Sequence, residues 1–170
     1  MELKPAGEIL PYENCTFKDR ASVLHLKPEY RRGLKYDRFG LASFMMDHYG
    51  YYIRHDGRLA PVLPFDNWAD DFRGGLARSP VGGKIGYIDR RLNLVIPAIY
   101  DGADKFYGGL ADVCFGCHAE TQNEMTYNVG GRWGCIDRHG RLQAPLQPGS
   151  VPGGRCEKLR RAKRSKPKPG

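Results

Sequence analysis

Asp71-Phe72-Arg73-Gly74-Gly75-Leu76-Ala77 returns 34 residues later as Lys105-Phe106-Tyr107-Gly108-Gly109-Leu110-Ala111, and Phe39-Gly40-Leu41-Ala42 precedes it by 35 residues. A second phrase recurs between these marks. It runs Gly50 to Leu59, then Lys84 to Leu94, then Arg132 to Leu142, and it aligns Ile53, Ile88 and Ile136. The first two isoleucines are 35 residues apart and the last two 48, so the last unit carries about 13 extra residues, from Cys117 to Val129. A third phrase follows the second, as Leu63-Pro64-Phe65-Asp66 and Ile96-Pro97-Ala98-Ile99-Tyr100-Asp101. Three features in register at one spacing mark a tandem repeat.

Short runs such as Gly86-Tyr87-Ile88-Asp89 are rich in β-formers and place Ile on one face. His55-Asp56-Gly57 and Arg138-His139-Gly140 carry turn signals, and Asp89 and Asp137 are placed to accept backbone N–H bonds in the turn that follows. Pro64 and Pro97 end the returning strand, since proline cannot donate to a ladder. A unit this small cannot bury its own apolar face, so neighbours must stack. The expected fold is all-β: tandem antiparallel β-hairpin repeats in an open, solenoid-like array. Residues 36–146 form the repeat domain, and residues 1–35 a capping segment or divergent first repeat. Residues 147–170 are expected to be a flexible, disordered basic tail.

Gly131-Arg132-Trp133-Gly134-Cys135-Ile136-Asp137, the Gly140 turn, and the Pro97, Tyr100-Asp101 and Phe106 to Ala111 run of the middle unit resemble the WG repeat of bacterial proteins. The middle unit departs from that pattern where Ile85 replaces Trp and Leu92 replaces the turn glycine. The first unit lacks Trp-Gly. The resemblance covers about residues 36 to 145. It implies successive antiparallel hairpins and no particular reaction.

Charge separates the chain into two parts. Of 27 Lys/Arg and 19 Asp/Glu, eight and one lie from Arg155 onward, which leaves the body with a net of +1. The near-neutral body speaks against a nucleic-acid groove there. Weak contact with nucleic acid or an anionic surface is expected only through residues 155–168. No apolar stretch is long enough to span a bilayer. The N-terminus does not read as a secretory signal, so a cytoplasmic location is expected. There the five cysteines would be free thiols.

Cys114-Phe115-Gly116-Cys117-His118 has the spacing of a haem attachment motif, which normally requires export. Cys114, Cys117, Cys135 and His139 together offer a tetrahedral zinc set. The repeat register argues against both: Cys114 falls in the strand after Gly-Leu-Ala, where a small buried residue is usual, and Cys135 takes the core slot of Tyr87. No metal and no cofactor are expected, with these four as the ligands if there were one. No phosphate loop, nucleophile elbow or zinc-protease motif occurs, so the chain reads as no enzyme.

The candidate partner-binding residues are Tyr51, Tyr52, Trp68 and Tyr107, with His118 and Glu120 in the polar insertion, since Tyr and Trp are enriched in interface hot spots. The leading expectation is a protein-binding scaffold, adaptor or inhibitor, including a toxin-neutralising partner. The second is a zinc-stabilised module that contacts nucleic acid through its tail.

Overall fold

The structure, a computed structural model, describes residues 15–46, 48–65, 67–123, 125–149 and 154–164. Asp66 of the third phrase and residues 150–153 and 165–170 of the basic tail lie outside the described residues. The elements in order are β1 (Thr16–Lys18), β2 (Leu24–Leu26), a 3-10 turn at Pro28–Arg31, β3 (Leu41–Met46), β4 (Tyr49–Arg54) and β5 (Leu59–Val62). Then come β6 (Pro64–Phe65), β7 (Trp68–Ala69), β8 (Leu76–Val81), β9 (Lys84–Asp89), β10 (Leu94–Tyr100) and β11 (Gly102–Ala103). The chain finishes with β12 (Leu110–Gln122), β13 (Met125–Asp137), β14 (Leu142–Pro148) and α1 (Arg155–Arg164).

The repeat becomes three antiparallel meanders. They are β3-β4-β5, β8-β9-β10 and β12-β13-β14, with β11 added at the edge of the last. Each opens at a Gly-Leu-Ala phrase. The second and third turn between their last two strands at Asp89 and Asp137, and Asp37 makes the same turn just ahead of β3. Asp37, Asp89 and Asp137 behave alike. Each places one carboxylate oxygen on the N–H groups two and four residues ahead, at 2.8 and 3.0 Å, 2.8 and 2.9 Å, and 2.9 and 3.1 Å. The turn role assigned to Asp89 and Asp137 is thus what the structure shows. The bonds explain why a short acceptor side chain recurs there. The recurrent glycine of the second phrase also has a cause. A Cβ at Gly86 would meet the Ile96 carbonyl oxygen and the Ala98 backbone, because β10 shifts register across it.

The core lies between the units, not within them. Leu41 of the first meander packs with Ala77 and Ile88 of the second. Leu76 of the second packs with Ala111 and Ile136 of the third. The motif's Leu therefore faces forward along the array, and its Ala and Ile face back. Tyr52 and Tyr87 also face forward. Their hydroxyls donate to the carbonyl oxygens of Asp70 and Asp104, at 3.1 and 2.7 Å. A buried tyrosine needs such a partner for its polar end.

At the N-terminal end Leu26 on β2 fills the cluster of Ala42 and Ile53. At the C-terminal end α1 closes the array, where Cys156 and Leu159 cover Leu110 and Cys135. This corrects the expectation of a disordered tail across residues 155–164. The helix has an apolar stripe at Cys156 and Leu159, and it is held from outside its own sequence. The Asp112 carboxylate accepts the N–H groups of Arg155 and of Cys156, the latter at 3.0 Å, and so caps the helix start. Arg160 reaches the carbonyl oxygens of Tyr107 and Leu110.

The expected free thiols are corrected as well. Cys135 is joined to Cys156 and Cys114 to Cys117 in disulfide pairs. Cys15 is buried, with its thiol directed at the Met46 sulfur, 3.7 Å away. The Cys135–Cys156 bond explains a break in the repeat. The slot that holds Tyr52 and Tyr87 in earlier units faces the next unit, and in the last unit the next thing is α1. No helix among the described residues is long and apolar enough to cross a membrane.

Candidate partner-binding site

The strands have two differently furnished ends. One is the hairpin end, where β3 meets β4, β8 meets β9 and β12 meets β13. The other is the turn end, with the Gly-Leu-Ala and Asp turns.

At the hairpin end, residues 117–129 do not bulge out as a loop. They lengthen β12 and β13 to 13 residues each, so the pair extends past its neighbours as an arm. The pairing stays in one register from Leu110↔Asp137 to Gln122↔Met125. Gly116 alters the side-chain alternation. Its φ of +71° rotates the strand, so Cys114 and Cys117, three apart, meet on one side instead of facing opposite ways. His118 and Glu120 are exposed on this arm.

Trp68 and Phe65 are paired across the short β6–β7 hairpin. Their exposures are 71% and 50%, high for the two largest side chains of a small element. Gly50 makes room for Ala69, which sets this hairpin beside the Tyr49–Gly50 end of β4. The Lys105 ammonium sits 3.4 Å from the Phe65 ring centroid and also 3.1 Å from Asp70. Asp70 is fully buried and takes Arg78 at 2.8 Å, so a paired charge cluster anchors the floor beneath the aromatic surface. Nearby, Tyr49, Tyr51, Pro61 and Pro80 line a groove of about 260 Å³.

The six sequence-derived candidates do not form one patch. Trp68, Tyr51, His118 and Glu120 belong to the hairpin side, with Tyr51 half-buried and stacked on Phe44. Tyr52 points the other way, into the junction between units, and burial pushes its phenol up to about 12. Tyr107 lies at the turn end, 62% exposed beside Gly108, with the Arg160 guanidinium 5.4 Å from its ring. Phe65 was not among the candidates. Its place in the repeated Pro phrase was the available signal, since the other unit has Ala98 there.

A cavity of about 560 Å³ separates the arm from the body, lined by Arg78, Asp104, Asp112, Glu120, Tyr127 and Trp133 among others. Burial raises the Asp112 carboxyl above its ordinary range, against the pull of the two helix N–H groups and Arg160. The Trp133 indole donates to the Gly130 carbonyl oxygen at 2.8 Å, which ties the base of the arm together.

The zinc set is not assembled. Cys135 is bonded to Cys156, Cys114 to Cys117, and His139 is exposed in the Asp137 turn. Among the described residues no group of three or more His, Cys, Asp or Glu side chains is arranged to hold a metal ion. The reading of a zinc-stabilised module is therefore withdrawn.

The family described as the WG containing repeat matches residues 85–116, from the start of β9 to the start of the arm. No curated protein and no solved structure matches the chain. The matched stretch holds the forward-facing Tyr87, the bulged return of β10 and the Gly-Leu-Ala turn that opens the next meander. The chain thus carries a WG containing repeat over residues 85–116, within its stacked meanders.

Proposed function

We propose that the array is a non-enzymatic scaffold that holds a protein partner at its hairpin end, as an adaptor or inhibitor, a toxin-neutralising partner included. The observation that carries this reading is the exposed Phe65–Trp68 pair. Two large aromatics sit on a two-residue hairpin braced from below by the Asp70, Arg78 and Lys105 charges. Rigid, exposed aromatics are the usual anchors of protein interfaces. Tyr49 and Tyr51 extend the surface through their groove, and His118 and Glu120 supply polar contacts on the arm.

Purification of the full chain from its native cell, with mass spectrometry, tests the reading. A stoichiometric protein should accompany the wild type and be lost from Phe65→Ala/Trp68→Ala, with affinity at least about 30-fold weaker, as for a hot spot worth 2 kcal/mol. Retention by that folded variant rejects the site.

Nucleic-acid contact through residues 155–168 is the second reading, now narrower. Arg155 and Arg160 are turned onto the body, where they bind backbone carbonyls. Of the described helix side chains, Lys158 and Arg161 remain outward.

A further inference from the structure

The turn end of the array concentrates arginine. Arg38 and Arg90 both lie over the Phe39 ring, 4.8 and 4.0 Å from its centroid, and Arg90 is also 5.1 Å from that of Phe72. Arg90 then meets Arg138 at the Gly74–Gly75 turn. Their guanidinium nitrogens lie 3.7 and 3.4 Å from the point where a side chain on Gly75 would begin. Three cations from three successive units are thus gathered along one line. None of the three has a carboxylate partner within 4 Å among the described residues.

The acids close by are committed elsewhere. Asp37, Asp89 and Asp137 each hold two turn amides. Asp56 pairs with Arg54, and Asp71 with Arg73 and Lys105. Like charges held this close repel one another, and an anion between them relieves that repulsion. Planar groups are interleaved with the cations. Phe39 remains 47% exposed, and the His55 imidazole is stacked on Tyr36 with 3.8 Å between centroids. Phe39, His55, Arg54, Arg90 and Arg91 line a groove of about 450 Å³ with Asp56, whose carboxylate is paired with Arg54.

We infer that the turn end binds single-stranded nucleic acid. Phosphates lie between Arg90 and Arg138 and between Arg38 and Arg90, and bases stack on the exposed planar groups. Guanidiniums alternating with aromatic faces suit a strand whose bases are free to stack. An acidic peptide could use the charges but would leave the rings idle. The near-zero total charge of the body conceals this surface, because its acids are drawn into the turns. The site is separate from the hairpin end and does not rest on the protein partner proposed there.

The test uses the full chain and a fluorescein-labelled single-stranded oligonucleotide of about 12 nucleotides, read by anisotropy between about 50 and 200 mM salt. Arg90→Ala/Arg138→Ala should weaken binding at least about tenfold. It should also flatten the plot of log affinity against log salt by roughly 1.4, for two lost phosphate contacts. Arg20→Ala/Arg32→Ala removes the same charge from the N-terminal region and should leave affinity within about twofold. Circular dichroism checks folding. If Arg90→Ala disturbs the ring stack, Arg38→Ala/Arg138→Ala leaves Arg90 in place and should weaken binding comparably. Equal loss in the control double variant overturns the site, as does no binding at low salt. Tighter binding to a duplex of the same sequence, or displacement by polyglutamate at equal charge, overturns the single-strand assignment.

Discussion

Leu26, on a three-residue strand, fills the place beside Ala42 that Leu41 fills beside Ala77 and Leu76 beside Ala111. At the other end no further Ala arrives, and Cys156 and Leu159 of a helix cover Leu110 instead. The two closures differ because the two faces of a unit differ. The backward face is a shallow surface of Ala and Ile, which one leucine can fill. The forward face carries a protruding Leu and, in the inner units, a long aromatic; in the last unit Cys135 takes the aromatic's slot. Covering it takes a broader element, and here that element is also held covalently through Cys135.

Truncating the N-terminal plug is the strongest way to break this comparison. Leu26→Ala removes a fully buried side chain and should cost roughly 3 kcal/mol in urea unfolding. Amide exchange should then accelerate first in β3–β5 and last in β12–β14. Uniform acceleration would show that the ends do not open independently.

Cys135→Ser/Cys156→Ser cuts the covalent tie at the other end, which spans 21 residues of sequence. About 2 kcal/mol should be lost, with exchange rising in β13, β14 and α1 and not in β3–β5. Reducing agent should reproduce the loss in the wild type. A folded, reduced protein with unchanged stability would mean that packing alone seats the helix.

The smallest effect concerns the helix cap. Asp112→Ala should cost about 1 kcal/mol, because two helix N–H groups lose their acceptor. Asp112→Asn keeps an acceptor and should lie within about 0.5 kcal/mol of wild type at neutral pH. Burial raises the folded carboxyl above its ordinary 3.8. A raised acid contributes stability that is complete below the unfolded value and lost as pH rises through the folded one. Wild type should therefore gain on Asp112→Asn as pH falls from 7 toward 4. A gap that stays constant in urea titrations across that range would contradict this.

The interior of the array was legible in the sequence because each of its parts is local. The Asp turns and the Gly-Leu-Ala corners each rest on a few adjacent residues. The prolines read in the sequence as ending the returning strand, whereas Pro97 lies inside β10 and Pro64 opens β6. Both misreadings at the C-terminus concern long-range partners. Arg155 to Arg164 is mostly Lys and Arg, so its charge hid two apolar residues three apart. Its cap comes from Asp112, 43 residues away. Cysteine spacing does not reveal connectivity, and Cys135 was placed in the right slot without its reason being visible. The arm read as an insertion because strand lengthening and loop insertion add residues alike. Only the single register kept on both sides of Gly116 separates them. On the candidate surface, Trp68 stands exposed, while Tyr52, read from the sequence as a partner-binding residue, serves the junction between units.

The forward Leu and backward Ala and Ile make every internal junction a plug and socket of one pattern. A duplicated middle meander would offer each neighbour a surface of the kind it already accepts, and both closures would stay where they are. Length is then something gene duplication can change in whole units. The strand of arginines at the turn end would lengthen in step, one guanidinium for each unit added.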